Sequence, residues 1–224
     1  MIKAFLFVTC TAIARSQTMD MQAIDQALGV RCDYCHARGA SSPAETPPST
    51  AGQKKSIALA MISMTRDLNE KIQQATGKLA TETARVDCVT CHRGVPIPQP
   101  LSAIILRTLA DKGGAAAADQ YRDLRKQYFG RATYDFGEDA LLEMVQRVIQ
   151  GRPEDAITLL RMNLQFNPQS AKTYALLGFA YTRKLDDDSA LLNLKKSLEL
   201  DPTDAMVRGR IEQLEEYRHR KQQQ

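Results

Sequence analysis

Two copies of one pentad limit what this chain can become: Cys32-Asp33-Tyr34-Cys35-His36 and Cys88-Val89-Thr90-Cys91-His92. Each sets two thiols three residues apart with an imidazole directly after the second, the spacing of c-type haem attachment. The thiols can add across the two vinyl groups of one porphyrin, and the histidine then ligates the iron from the proximal side. Two pentads therefore predict two covalently bound haem c groups, on Cys32, Cys35, Cys88 and Cys91, with His36 and His92 as axial ligands. Two C-x-x-C pairs can also build a four-thiolate zinc site. That reading leaves the histidine after each pair unexplained and must close a loop of more than fifty residues. A thioredoxin-like dithiol needs alternating strand and helix patterns, which neither pair has around it.

Five cysteines are accounted for by two pairs and Cys10. Cys10 falls where Lys3 precedes the apolar run Ala4 to Ala14, and Ala12-Ile13-Ala14 offers a cleavage site. Residues 1–17 are thus expected to be a short secretory signal, lost with Cys10, and the mature protein to be periplasmic. Cys10 as a lipid acceptor is the alternative, although Phe7-Val8-Thr9 is a poor context for it. The apolar run is too short to cross a bilayer as a stable helix. A net charge of +4 with only 6% aromatic residues and no tryptophan gives no basic stripe with interleaved aromatics, so nucleic acid is not an expected partner.

After residue 17, Thr18 to Gly29 reads as a short amphipathic helix, capped by Thr18 and closed by Gly29, with Met21, Ile24 and Leu28 on one face. Residues 37–53 read as a Pro/Ser-rich loop. Lys54 to Thr76 reads as a longer helix carrying Ile57, Met61, Met64 and Leu68 along one side, ending at Gly77. A methionine-bearing helix thus precedes each pentad. The chain has only three histidines, and His219 lies in a charged C-terminal stretch. Methionine sulfur is therefore the expected distal ligand at both irons, where it would raise the potential. Met21 is preferred at the first, with Met19 second, and Met64 at the second, with Met61 one turn earlier as the alternative. Met21 packing against porphyrin without ligating it is the competing reading. Arg93-Gly-Val-Pro-Ile-Pro-Gln-Pro100 cannot continue a regular helix and is expected to wrap a haem edge.

Three blocks, Leu28-Gly-Val-Arg-Cys-Asp-Tyr-Cys-His36, Met64-Thr-Arg-Asp-Leu-Asn69 and Val86-Asp-Cys-Val-Thr-Cys-His-Arg-Gly94, resemble the cytochrome c subunit of photosynthetic reaction centres over residues 18 to about 100. In that family a methionine on the helix before the attachment motif ligates the haem, which favours Met21 and matches Met64. The family's usual subunit carries four haems in two halves, and this chain holds the counterpart of one half. The resemblance implies electron transfer. The acceptor would be a photo-oxidised pigment pair in a reaction-centre core or another membrane complex, and the donor a soluble redox protein. The alternatives are a respiratory or other periplasmic carrier with the same motifs, and a dihaem peroxidase-like enzyme, which would need one iron left open.

The C-terminal half repeats. Leu160-Arg-Met-Asn-Leu-Gln-Phe-Asn-Pro168 and Leu194-Lys-Lys-Ser-Leu-Glu-Leu-Asp-Pro202 match at about the 34-residue period of tetratricopeptide repeats. Tyr174, Leu177, Gly178, Tyr181, Ala190, Leu194 and Pro202 fit one full repeat, and Ala205 to Tyr217 fits a capping helix. Such a stack offers a concave side that can receive a protein partner or simply pack on the haem domain. The expected fold is all-α: residues 18–112 a dihaem cytochrome domain, 113–136 a linker or helix with Gly113-Gly114 at the boundary, 137–219 repeats, and 220–224 a tail. Porphyrin would replace much of the first domain's core.

Overall fold

The computed structural model describes residues 20–36 and 48–223, with no side-chain placement for 48–51. The expected signal 1–17, Cys10, Met19, the Thr18 cap, most of the 37–53 loop and Gln224 lie outside the described residues. Those that are described form helices and loops, with no strand among them. They divide into two compact units, Met1–Ile97 and Pro98–Gln224. The division falls earlier than the Gly113-Gly114 boundary read from the sequence, and it assigns residues 98–112 to the second unit.

In the first unit, α1 (Met21–Leu28) starts at Asp20, whose carboxylate accepts from the Ala23 amide at 3.1 Å. It ends at Gly29, which takes the left-handed conformation (φ 65°) that glycine adopts without steric cost. A single 3₁₀ turn covers Cys32–Tyr34. Helix α2 (Pro48–Thr76) begins earlier than the sequence pattern indicated, at Pro48, a residue suited to a first helical turn. It stops at Gly77 (φ 64°). Helix α3 (Cys88–His92) is one turn long and stands on a capping box. The Asp87 side chain accepts from the Thr90 amide, and Thr90 Oγ1 accepts from the Asp87 amide at 3.0 Å. Arg93 and Gly94, both at positive φ, end it, so the proline-rich stretch leaves as loop. Buried apolar side chains are scarce here: among the described residues, Ala27 and Val95. Met21, Ile57, Met64 and Leu68 are exposed.

The second unit has its own dense core. Helix α4 (Leu101–Tyr128) is two helical segments joined across Gly113 (φ 83°, ψ 176°). The glycine pair expected to separate domains is instead a kink. The amide of Gly114 opens the second segment and donates to Asp155 Oδ1 at 2.6 Å, so a carboxylate from another helix caps the restart. That carboxylate also pairs with Arg152 at 2.6 Å. Then follow α5 (Glu138–Ile149), α6 (Pro153–Asn163), α7 (Ala171–Arg183), α8 (Asp187–Leu200) and α9 (Ala205–Gln222). Short turns join successive helices, which pack α5 on α6, α6 on α7, α7 on α8 and α8 on α9. Ser170, Asp186 and Asp204 cap α7, α8 and α9, each accepting from the amide three residues on.

Ile105, Val145, Leu159, Leu160, Leu194 and Val207 are fully buried, each large aliphatic side chain contributing about 1.5–3 kcal/mol. Two polar links lock the stack. Asn163 donates to Glu138 Oε1 (2.8 Å) and Thr173 Oγ1 (2.7 Å), tying α5, α6 and α7. Ser197 donates to the Ala171 carbonyl at 2.8 Å, tying α8 to α7. Gly178 lets α7 and α8 close on each other, since a Cβ there would lie 2.5 Å from Leu194 Cγ. We expect Gly178→Ala to lower the stability of this unit by about 1–3 kcal/mol through overpacking. Urea unfolding followed by circular dichroism measures it, and an unshifted midpoint would mean that Leu194 yields at no cost.

Candidate functional site

The second pentad is held from several sides. The capping box fixes the first turn of α3, so Cys88 and Cys91 sit one turn apart as free thiols, half-buried and exposed respectively. His92 closes the helix, and its Nδ1 is 3.0 Å from the Val95 carbonyl. An imidazole that donates Nδ1–H to a backbone carbonyl has its tautomer and ring direction set, and Nε2 is the nitrogen left to bind a metal. Val95 is itself buried, which keeps its carbonyl in place.

That loop is braced by α1. The Gly94 amide donates to the Ala27 carbonyl at 2.8 Å, and α1 packs on α3. Gly29 and Gly94 meet so closely that a Cβ on Gly29 would clash with the Gly94 backbone, well inside van der Waals contact. The helix that leads into the first pentad therefore carries the loop that orients the histidine of the second.

The first pentad is arranged differently. Cys32 to Tyr34 form the 3₁₀ turn, with the His36 amide donating to the Cys32 carbonyl at 2.9 Å. The exposed Cys32 thiol donates to Asp25 Oδ2 on α1 at 3.2 Å. The Asp25 hydrogen bond and charge push that thiol's pKa above the ordinary value. Lys54 Nζ on α2 lies 3.7 Å from the centre of the Tyr34 ring, a cation–π contact worth about 0.5–1 kcal/mol at an exposed site.

Helix α2 thus touches the first pentad near its beginning and, further along, the segment before the second. Asn69 donates from Nδ2 to the Val86 carbonyl and accepts at Oδ1 from the Val86 amide, both at 2.8 Å. From Lys54 to Asn69 the helix axis runs about 22 Å, which sets the scale on which the two pentads are spaced. Met61 is half-buried on α2, as are Thr65 and Asn69, while Met64 is exposed beside Ile57 and Leu68. Met21 is exposed on α1.

The donor groups and surfaces fit a covalently bound porphyrin. Free thiol pairs stand one turn apart, His92 is fixed through Nδ1, and an apolar stripe on α2 lies open for a flat apolar group to cover. Among the described residues no three or more His, Cys, Asp or Glu side chains converge to hold one metal ion, so the two thiol pairs do not assemble into a shared tetrahedral site. The sequence singles out the thiols, histidines and methionines as candidates but gives no role to Asn69, Asp25 or Lys54. The signal for Asn69 was available: it is a polar residue closing the Met64 block and lying a helical turn after Thr65.

A family model described as "Photosynthetic reaction centre cytochrome C subunit" matches residues 48–177, more than half of the chain. The match takes in α2, the second pentad and the chain as far as α7, while the first pentad precedes it. A search of curated proteins finds no match.

The Gly29 contact makes a direct prediction. Gly29→Ala must push α1 off the loop after α3, and the Gly94 amide should lose its protection in hydrogen exchange by at least tenfold. Unchanged protection at Gly94 would show that the α1–α3 contact does not depend on this close approach.

Proposed function

We propose a function from one premise: the chain belongs to the photosynthetic reaction centre cytochrome C subunit family. It is therefore a c-type cytochrome, with haem bound covalently and electron transfer to redox protein partners in a membrane complex as its work. The family lies on the periplasmic side of the membrane. Among the described residues no helix is long and apolar enough to cross one.

The finer reading is a dihaem carrier. Cys32 and Cys35 would hold one haem by thioether bonds with His36 as an iron ligand, and Cys88 and Cys91 would hold the other with His92. Met21 and Met64 would supply the second ligand to each iron, with Met61 and Met19 as the neighbouring candidates. Bound haem supplies a one-electron couple, and the side chains do the rest. A methionine sulfur there would raise the potential and close the iron to exogenous ligands. The Val95 carbonyl holds the His92 ring and increases its basicity. No side chain here has to move a proton. The observation that carries the reading is the repeated pentad together with the His92 Nδ1 contact, which leaves Nε2 for iron.

Within this reading, the partners would be a soluble donor and a membrane-bound acceptor of reaction-centre type. The hairpins of α5 to α9, whose odd-numbered helices begin at Glu138, Ala171 and Ala205, fit the roughly 34-residue tetratricopeptide period. Their role as a protein-docking stack belongs to the same proposal.

Haem counting tests it. The intact-chain mass of exported protein should include two haems, and the paired variants Cys32→Ala/Cys35→Ala and Cys88→Ala/Cys91→Ala should each remove one. A wild-type mass with a single haem would contradict the dihaem reading. Substituting all four cysteines by alanine should lower the far-UV helical signal by about the share of α1 to α3, because little apolar burial holds those helices without porphyrin. Undiminished helix would refute that dependence. Met64→Ala should leave both haems attached while the reduced protein gains carbon monoxide binding at one haem. No gain would pass the distal role to Met61.

A further inference from the structure

Asn69 uses its whole amide on the backbone. Nδ2 donates to the Val86 carbonyl (2.8 Å) and to the Thr65 carbonyl of its own helix (2.9 Å), while Oδ1 accepts from the Val86 amide (2.8 Å). Both hydrogen-bonding groups of one residue, seventeen positions away, are thus paired by a single side chain, as a neighbouring strand would pair them. A primary amide of this length can do this; a carboxylate cannot donate, and an apolar residue can do neither. The direction of the amide is fixed by the network, since reversing it would set donor against donor and acceptor against acceptor.

What is clamped matters more than the clamp. Val86 precedes Asp87, whose side chain and amide make the capping box that starts α3, and Cys88 follows at once. Asn69 sits five residues after Met64 on α2, about 7.5 Å along the axis. Thr65, which Asn69 also holds, donates to the Met61 carbonyl at 2.6 Å. One side chain therefore links the methionine-bearing turns of α2 to Val86, two residues ahead of the second attachment helix. The capping box and the Val95 contact lie within residues 87–95, and the α1 contacts brace the loop after α3; none of these is a contact with α2.

We infer that Asn69 is a positioning residue of the second haem site, fixing the methionine-bearing turns of α2 against Cys88–His92 so that a sulfur reaches the iron opposite His92. This rests on the dihaem reading above. It assigns Asn69 no contact with haem, and its effect falls on the distal ligand, since the thiols and His92 are held separately.

The test uses exported, haem-loaded full-length protein. In Asn69→Ala both haems should remain attached by intact mass. The reduced protein should go from binding no carbon monoxide to binding one per chain, and the potential of one haem should fall while the other keeps its wild-type value. Asn69→Asp keeps the shape and the acceptor but loses the donor, so it should change the same haem in the same direction. It also serves if the alanine variant does not accumulate. Two closed haems at wild-type potentials in these variants, or equal changes at both haems, would overturn the inference and leave the dihaem reading standing. A wild-type protein with one haem, or one that already binds carbon monoxide, would sink the reading itself.

Discussion

A helix stays folded in water when its apolar face is covered, and α2 is where this chain meets that rule most sharply. Its 29 residues carry Ile57, Met64 and Leu68 on an exposed stripe. The protein atoms around it supply hydrogen bonds from Asn69 and the Lys54–Tyr34 contact rather than an apolar partner. On the proposed assignment porphyrin is that partner, so attaching haem and completing the first unit are one process. The second unit meets the rule unaided, with Leu159, Leu160 and Leu194 fully enclosed and Asn163 and Ser197 satisfied by named partners.

The way the pentads are held follows from the same scarcity of core. With only Ala27 and Val95 buried among the described residues of the first unit, position is set by close backbone approach and by single polar links. Gly29 against Gly94, the Ala27 carbonyl on the Gly94 amide, Val95 on His92, and Asn69 on Val86 each fix one coordinate of the second site. The first site is held by a thiol–carboxylate bond, which thioether formation would remove, and a cation–π contact, both near solvent. On the dihaem assignment, that asymmetry puts the two irons in different surroundings. Burial and hydrogen bonding around the ligands tune a haem's potential, so the two haems should differ.

The sequence made some elements legible because their signals are local. Gly29 and Gly77 end helices where predicted, the proline-rich stretch after His92 is loop, and a helix covers Ala205 to Tyr217 as expected. Gly113-Gly114 misled because a glycine pair looks the same whether it separates domains or kinks one helix. What decides is Asp155, more than forty residues away, capping the restart. The start of α2 at Pro48 was masked by a Pro/Ser-rich composition that reads as loop. At the site, thiols and imidazoles announce themselves by spacing. Asn69 does not, because its importance depends on which backbone it reaches. The contact of α1 with the second pentad was invisible for the same reason, since the sequence sets α1 beside the first.

The most direct measurement is a reduced visible spectrum of the exported protein taken before and after adding carbon monoxide, with iron counted per chain. The account predicts two irons, c-type bands and no change on adding the gas, because a sulfur closes each iron opposite its histidine. A carbon monoxide shift in the wild-type protein, or one iron per chain, would contradict it.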